Sequence, residues 1–484
     1  MTSVTDAVVA IESGPRGPEI GAFFDFDGTL IDGYSAAPYF IERLRRREMG
    51  LAEAVDVWRM ARRGDLSERE FSDGVARSMA PWAGHPEEEL TRLWSRLFRD
   101  KIARLMFPES WRLVKAHLKV GHTVAIVTSA TRYQAAPIAQ ELGVEHLLCT
   151  RATVRDGCLT GGVEGTTLWG AGKADAVRAF ANAHQIALPR SYGYANGNED
   201  IAFLKAMGHA TAVNPQPALG ATAAREDWPV LHFSARHKAS LAMRARTMGA
   251  YGALAALSLG GVAYALATGK KRRAAEWVGA TGSDAILAMA GVKVEVQGGH
   301  HLTARRPVVF MFNHQSLLDG FVLLHVLRGG FTGVAKQEAA HMPLLGQILR
   351  GLDFAFIDRS NSRSAIEAMR PAVDRLRRGV SVVIAPEGTR SLSSRLGSFK
   401  KGTFHMALQA GVPIVPVVLR NTYELMPRGS LLLRPGTVQV CVLPPIETAD
   451  WNVEHLDRHV AEAQALFQRT LDDWPCPGDI PPSS

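Results

Sequence analysis

FMFNHQSLLDG, residues 310–320, and APEGTR, residues 385–390, decide the reading of the C-terminal half. The apolar run from Val308 to Phe312 predicts a buried strand that ends at Asn313. An imidazole, His314, and a carboxylate, Asp319, follow it. A helix alone would put positions i and i+5 on different faces, so the two side chains meet only if a turn follows the strand. If they meet, the carboxylate fixes the imidazole tautomer and the ring can take a proton from an alcohol. The same residues also read as a capping Asn, a satisfied histidine and a helix-start Asp. The later segments decide between the two.

DFAFIDR (353–359), VSVVIAPEGTR (380–390) and VPIVPVVLR (412–420) are three further apolar strands. They deliver Arg359, and then Glu387, Gly388, Thr389 and Arg390, at strand ends. Such ends suggest one site at the carboxyl edge of a sheet. Two arginines there suit a phosphate, because the guanidinium fork binds its oxygens bidentately. A proton-abstracting histidine beside a phosphate clamp points to acylation of a phosphorylated alcohol.

These blocks resemble the glycerolipid acyltransferases of the 1-acylglycerol-3-phosphate acyltransferase type. NHxxxxD, an FIDR-like run, FPEGTR and VPIVPV occur in order across roughly residues 285–450, with AKQEAAHMPLLGQILR and FKKGTFHMA also family-like. Ala385 stands where the family has Phe, and Asp353 where Gly is common. The resemblance implies His314 as base, Asp319 as its partner, and Asn313, Arg359, Glu387, Gly388, Thr389 and Arg390 around the acceptor. Lys336 is a further candidate for the phosphate or an ordinary surface lysine. The implied donor is a thioester, acyl-CoA or acyl carrier protein. The implied acceptor is lysophosphatidic acid, with another lysophospholipid or a glycolipid as the alternative.

AFFDFDGTL (22–30) opens a second site. Phe23, Phe24 and Phe26 make a short strand, and Asp25 and Asp27 share one face of it. Two carboxylates on one face repel unless a cation sits between them, and oxygen ligands suit Mg2+. One carboxylate can also act as a nucleophile towards phosphorus. Over roughly residues 20–215 the chain resembles the haloacid dehalogenase (HAD) superfamily, near the phosphoserine-phosphatase-like branch. HTVAIVTSAT would then end a strand at Thr128, which binds the phosphoryl group. Lys173 in WGAGKADAV would neutralise it, and SYGYANGNEDIAFL would be the metal loop, with Asp200 and Asn196. The implied metal ligands are Asp25, Asp27, Asn196 and Asp200. Asn196 replaces the family's Asp, so one negative charge is lost. The half is therefore either an active Mg2+-dependent phosphatase or a weakened, regulatory or docking module. LAEAVDVWRMARRG (51–64) and PEEELTRLWSRLFRDKIARLM (86–106) show apolar residues at helical spacing. They predict a helical cap over about 33–118.

From Thr247 to Gly269 there is no charged residue, and Arg244, Arg246 and Lys270 to Arg273 flank the run. Its length suffices to cross a hydrocarbon core. Ala and Gly keep its hydrophobicity modest, and AAEWVGATGSDAILAMAGVKV (274–294) follows as a second weakly apolar helix. The favoured expectation is a two-helix hairpin in one leaflet, with both catalytic halves on the cytoplasmic side of the cell membrane. A single span and a soluble interdomain helix are the alternatives. Gly249, Gly252, Gly260 and Gly261 would form a small-residue seam.

The expected fold class is α/β throughout. A Rossmann-like HAD domain with a helical cap covers 1–235, a membrane-associating segment 236–284, an α/β acyltransferase domain 285–470, and a Pro-rich tail 471–484. The 484 residues allow two domains, and the net charge of +8 fits anionic lipid or phosphate ligands. No nucleic-acid motif is present. Cys149, Cys158, Cys441 and Cys476 have no metal spacing and suit a reducing compartment. MTSVTDAVVAIESG lacks a signal peptide's basic start and long apolar core.

Overall fold

The computed structural model describes residues 3–50, 67–165, 167–236, 239–357 and 369–474. The chain forms two compact units, Met1–Lys238 and Ala239–Ser484.

In the first unit, six strands form a parallel sheet. They are β1 (Gly21–Phe24), β2 (Thr123–Thr131), β3 (His146–Thr150), β6 (Tyr192–Ala195), β7 (His209–Val213) and β8 (Val230–Leu231), in the order β3-β2-β1-β6-β7-β8. Strands β4 (Ala152–Arg155) and β5 (Cys158–Val163) form a separate antiparallel hairpin. β1 is buried at every position, which explains its unbroken apolar sequence. It lies between β2 and β6, where the strand order reverses, and such a crevice collects ligands. β2 runs past Thr128 to Thr131 with an irregular register between them, so the expected strand end is a bulge.

Among the described residues no strand lies between β1 and β2. Helices Ala36–Arg45, Glu68–Met79 and Glu87–Leu97 occupy that stretch, and the last buries Leu90, Trp94 and Leu97 on one face. The segment LAEAVDVWRMARRG lies outside the described residues.

The second unit holds a seven-stranded sheet in the order β12-β11-β13-β10-β14-β15-β9. The strands are β9 (Val292–Gln297), β10 (Val309–Phe312), β11 (Phe331–Lys336), β12 (Ala355–Ile357), β13 (Ser381–Ile384), β14 (Ile414–Arg420) and β15 (Gly436–Val442). All neighbours are parallel except β14 and β15. The period of two divides β10 between two cores. Phe310 and Phe312 pack with Leu318 and Phe321, whereas Val309 and Met311 pack with Phe404 and Phe467. Fully burying one such aromatic contributes about 1.5–3 kcal/mol. This central strand, fixed from both faces, ends at Asn313.

Helix Leu241–Thr268 starts at Ser240, whose side chain accepts the Met243 N–H, and stops at Gly269 with φ +70°. Among the described residues it is the one helix long and apolar enough to cross a membrane. It is mostly uncovered: Met248, Leu259 and Leu266 are 76%, 73% and 82% exposed. Helix Lys271–Ala290 differs. It buries Ala274, Val278, Gly282 and Ile286 and packs on helices Leu318–Leu327 and Leu345–Gly351, so it belongs to the core of the second unit. The seam between the two helices uses only part of the expected set. A Cβ at Gly261 would lie 2.3 Å from Val278, and one at Gly249 2.9 Å from Met289, while Gly252 faces open space.

Candidate functional sites

In the first unit the site begins where β1 ends. Lys173 is 2% exposed, and its Nζ donates to Asp25 Oδ1 and Asp200 Oδ1, both at 2.7 Å. Burial pushes this ammonium down, but Asp200 and Asp25 outweigh it and the net shift is upward. The group is therefore a charged ammonium between two carboxylates. Asp200 Oδ2 is buried without a partner among the described residues. Thr128 is buried beside the site, and its Oγ1 accepts the Ala130 N–H at 3.0 Å.

Asp27 departs from expectation. β1 ends at Phe24, so Asp25 and Asp27 follow the strand and do not share one face of it. The Asp27 carboxylate accepts the Ser35 N–H at 2.7 Å and the Ser35 hydroxyl at 3.1 Å instead. Burial raises its pKa to about 7, helped by the charge of Asp25 and opposed by Ser35 and Lys173. Only its main-chain oxygen turns towards Asn196. One terminal atom of the Asn196 carboxamide lies 2.8 Å from that oxygen, 3.3 Å from Asp25 Oδ2 and 3.2 Å from Thr29 Oγ1. As nitrogen this atom carries two hydrogens and can donate to two of the three. As oxygen, it joins Asp27 C=O and Asp25 Oδ2 in a set of three converging oxygens, the donor type Mg2+ takes. The residues thus fit Mg2+ when the carboxamide turns its oxygen inward, with one carboxylate in the set. Among the described residues no group of three His, Cys, Asp or Glu side chains is placed to hold a metal.

In the second unit His314 follows β10 in a turn, and Asp319 lies in the first turn of helix Leu318–Leu327. His314 Nδ1 is 2.8 Å from Asp319 Oδ2. The same oxygen accepts the Gln315 and Ser316 N–H groups at 2.7 and 2.8 Å. An acceptor-only carboxylate at Nδ1 requires that nitrogen to carry the proton, which leaves Nε2 free to accept one. Asp319 is fully buried, while the His314 side chain is 27% exposed, so the base reaches solvent and its orienter does not.

Two of the expected acceptor-binding residues hold the scaffold instead. Asn313 pairs with β14, its Nδ2 donating to Leu419 C=O at 2.8 Å and its Oδ1 accepting the Leu419 N–H at 2.7 Å. Glu387 accepts the His314 N–H at 2.7 Å through Oε1, and the Gly397 N–H and Ser391 hydroxyl, both at 2.8 Å, through Oε2. Both its oxygens are thereby occupied. Burial raises its pKa against those hydrogen bonds. Gly388 sits at φ +72°, where the turn after β13 needs a left-handed residue. Thr389 is exposed, and Lys336 is exposed at the end of β11. Arg390 is half-buried, and its guanidinium has no partner among the described residues. Arg359 lies outside the described residues.

The family models match both units: the haloacid dehalogenase-like hydrolase model over residues 22–205 and the acyltransferase model over residues 293–420. A 1-acyl-sn-glycerol-3-phosphate acyltransferase of Saccharomyces cerevisiae is 33% identical over 207 residues, which cover 42% of this chain and 68% of the relative. The chain belongs to the 1-acyl-sn-glycerol-3-phosphate acyltransferase family. It joins the acyltransferase domain to a haloacid dehalogenase-like hydrolase domain. The acyltransferase of Limnanthes alba is 38% identical over 187 residues, covering 38% of this chain and 66% of the relative. The solved 1-acyl-sn-glycerophosphate acyltransferase of Thermotoga maritima is similar over 42% of this chain and 83% of that chain, at 27% identity and a TM-score of 0.37.

Within the acyltransferase domain the motif residues divide by task. His314 is 27% exposed and Arg390 half-buried, whereas Asp319, Glu387 and Asn313 are buried and bond to His314 and the surrounding backbone. The Gly397 N–H that fixes Glu387 and the Ser35 groups that hold Asp27 were not foreseen from sequence, because neither carries a motif signal.

Proposed function

We propose that the C-terminal half transfers an acyl group from a thioester donor to the free hydroxyl of lysophosphatidic acid, giving phosphatidic acid. The observation that carries this reading is the His314–Asp319 contact of 2.8 Å beside an unpartnered Arg390. In this mechanism His314 Nε2 takes the hydroxyl proton as the oxygen attacks the thioester carbon. Asp319 steadies the imidazolium that forms. When the tetrahedral oxyanion collapses, the C–S bond breaks and the imidazolium returns the proton to the departing thiolate. Arg390 binds the acceptor phosphate, with Arg359 and Lys336 as further candidates. Acyl-CoA and acyl carrier protein are the candidate donors.

The exposed apolar face of helix Leu241–Thr268 supports a membrane-associated enzyme whose acceptor is drawn from the lipid surface. We assign both halves to the cytoplasmic side of the cell membrane. In the N-terminal half, Asp25 would attack a phosphoryl group to form an aspartyl-phosphate, and Asp27 would protonate the leaving oxygen. Lys173 and Thr128 would hold the phosphoryl oxygens. Asp25 Oδ2, the Asp27 carbonyl and the Asn196 side-chain oxygen would hold Mg2+, and Asp200 keeps Lys173 in place. When bound, Mg2+ supplies charge neutralisation between nucleophile and phosphoryl group. Asn196, a neutral carboxamide where the resemblance implies a carboxylate, favours a second reading for this half, a docking or regulatory module that turns over slowly.

The test offers the purified chain acyl-CoA or acyl carrier protein donors with lysophosphatidic acid, lysophosphatidylcholine or a glycolipid. Phosphatidic acid as the dominant product is expected. Preferential acylation of either other acceptor would replace the assignment. Phosphate release from a panel of phosphorylated lipids and metabolites with Mg2+ decides the N-terminal half, and no release would leave the docking reading.

A further inference from the structure

Arg428 lies outside every sequence block named above, yet hydrogen bonds tie it to the His314 site from two directions. The Ser316 hydroxyl, two residues beyond His314, donates to Met426 C=O at 2.6 Å. Arg428 Nη1 donates to Arg390 C=O at 3.2 Å. The next residue, Ser391, donates its N–H to His314 C=O at 2.8 Å. The 426–428 segment therefore bridges the turn that carries the base and the turn that carries Arg390. The rest of the Arg428 fork has no partner among the described residues.

This brings the Arg428 fork to the backbone of Arg390 in a half-buried setting, where burial first and the charge of Arg428 second disfavour the charged form of Arg390. The acid whose charge reaches Arg390 is Asp319; its Oδ2 is taken by His314 and two N–H groups, its Oδ1 is buried without a partner, and neither oxygen is hydrogen-bonded to Arg390 among the described residues. Like charges held together without an acid between them are unfavourable until an anion joins them. Paired forks also match the several oxygens of a phosphate better than one does.

We propose that Arg428 is the second guanidinium of the acceptor-phosphate clamp, acting with Arg390. The proposal rests on the reading that the acceptor is a lysophospholipid bearing a phosphate monoester. An Arg428 that merely held the 388–391 turn would affect stability and leave ligand preference unchanged.

The test uses the full chain in the His314→Ala background, so that binding is measured without turnover. Equilibrium binding of lysophosphatidic acid is compared with that of monoacylglycerol, which has the same tail and no phosphate. The expected result is a clear preference for lysophosphatidic acid. Adding Arg428→Gln should weaken lysophosphatidic acid binding by roughly 10- to 100-fold and leave monoacylglycerol binding unchanged. Arg428→Lys keeps a charge but not the fork and should lose roughly 3- to 10-fold; it decides the matter if Arg428→Gln does not fold. A preserved preference in the folded variants overturns the role of Arg428 while the acceptor assignment stands. A parent with no preference for lysophosphatidic acid overturns the clamp and the acceptor assignment together.

Discussion

The two halves place their chemistry alike, at the carboxyl ends of central parallel strands, and complete it differently. In the N-terminal half the site's buried cation is matched internally, by two carboxylates. Lys173 is shared by Asp25 and Asp200, and the Asn196 carboxamide can satisfy the oxygens a cation would otherwise bind. In the C-terminal half Glu387 and Asp319 Oδ2 are taken up by backbone N–H groups, Ser391 and His314, and Arg390 is left without a hydrogen-bonded partner among the described residues. The first site keeps more acid than its one lysine balances. The second is incomplete until an anion arrives. The contrast shows that shared position on a sheet does not fix function; what decides it is which charges remain unpaired.

The largest expected effect breaks the open site at its base. Asp319→Asn removes the charge that steadies the His314 imidazolium and lets a donor NH2 compete at Nδ1, and kcat for acyl transfer should fall about 100- to 10,000-fold. A fall under tenfold in a folded variant would mean that Nδ1 is oriented by another group. Next in size is Asn313→Ala, which leaves the N–H and C=O of Leu419 unpaired in a dry core. It should cost about 2–4 kcal/mol in denaturant unfolding of the second unit. Retained stability would show that water or a main-chain shift replaces the side chain.

In the first site, Asn196→Asp restores a carboxylate to the oxygen set, and calorimetric titration should show Mg2+ binding tightened by about tenfold. Unchanged affinity would place the cation elsewhere or nowhere. The smallest effect concerns acid. His117 and His122 form a buried pair with Nδ1 atoms 2.8 Å apart, and His117 Nε2 is 2.9 Å from the Tyr194 hydroxyl. Burial, and for His117 also the neighbouring His122, holds both below the usual 6.5. Above pH 6.5 neither state is protonated and stability is full; below it the unfolded chain gains protons that the folded chain refuses. The first unit should therefore lose about 1 kcal/mol per pH unit below pH 6.5, and His117→Gln should flatten that slope in calorimetric melting. A slope unaffected by the substitution would assign the acid sensitivity to other groups.

Much of this was legible in the chain. β10, β13 and β14 lie where their apolar runs predicted, because a strand buried on both faces has few other sequences open to it. The His314–Asp319 pairing followed from a strand end, a turn and a helix start. What the sequence hid is direction. Glu387 and Arg390 sit three residues apart in one motif, yet the turn at Gly388 sends the first inward to the His314 backbone and leaves the second without a protein partner. Asp27 was expected to share a strand face with Asp25, but β1 ends at Phe24 and the Asp27 carboxylate bonds Ser35. Helix Lys271–Ala290 read as a membrane partner because its small residues look alike in a bilayer and in a core. Arg428 carried no signal, since only the fold brings it to Arg390.

The central claim is that two independent sites work on one chain, the acyl transfer depending on His314 and not on Asp25. Its most direct test measures phosphatidic acid formation and phosphate release in the parent, in His314→Ala and in Asp25→Asn. The account predicts that acyl transfer is lost in His314→Ala and kept in Asp25→Asn, with any phosphate release showing the opposite pattern. Acyl transfer that survives His314→Ala, or that disappears in a folded Asp25→Asn, would contradict it.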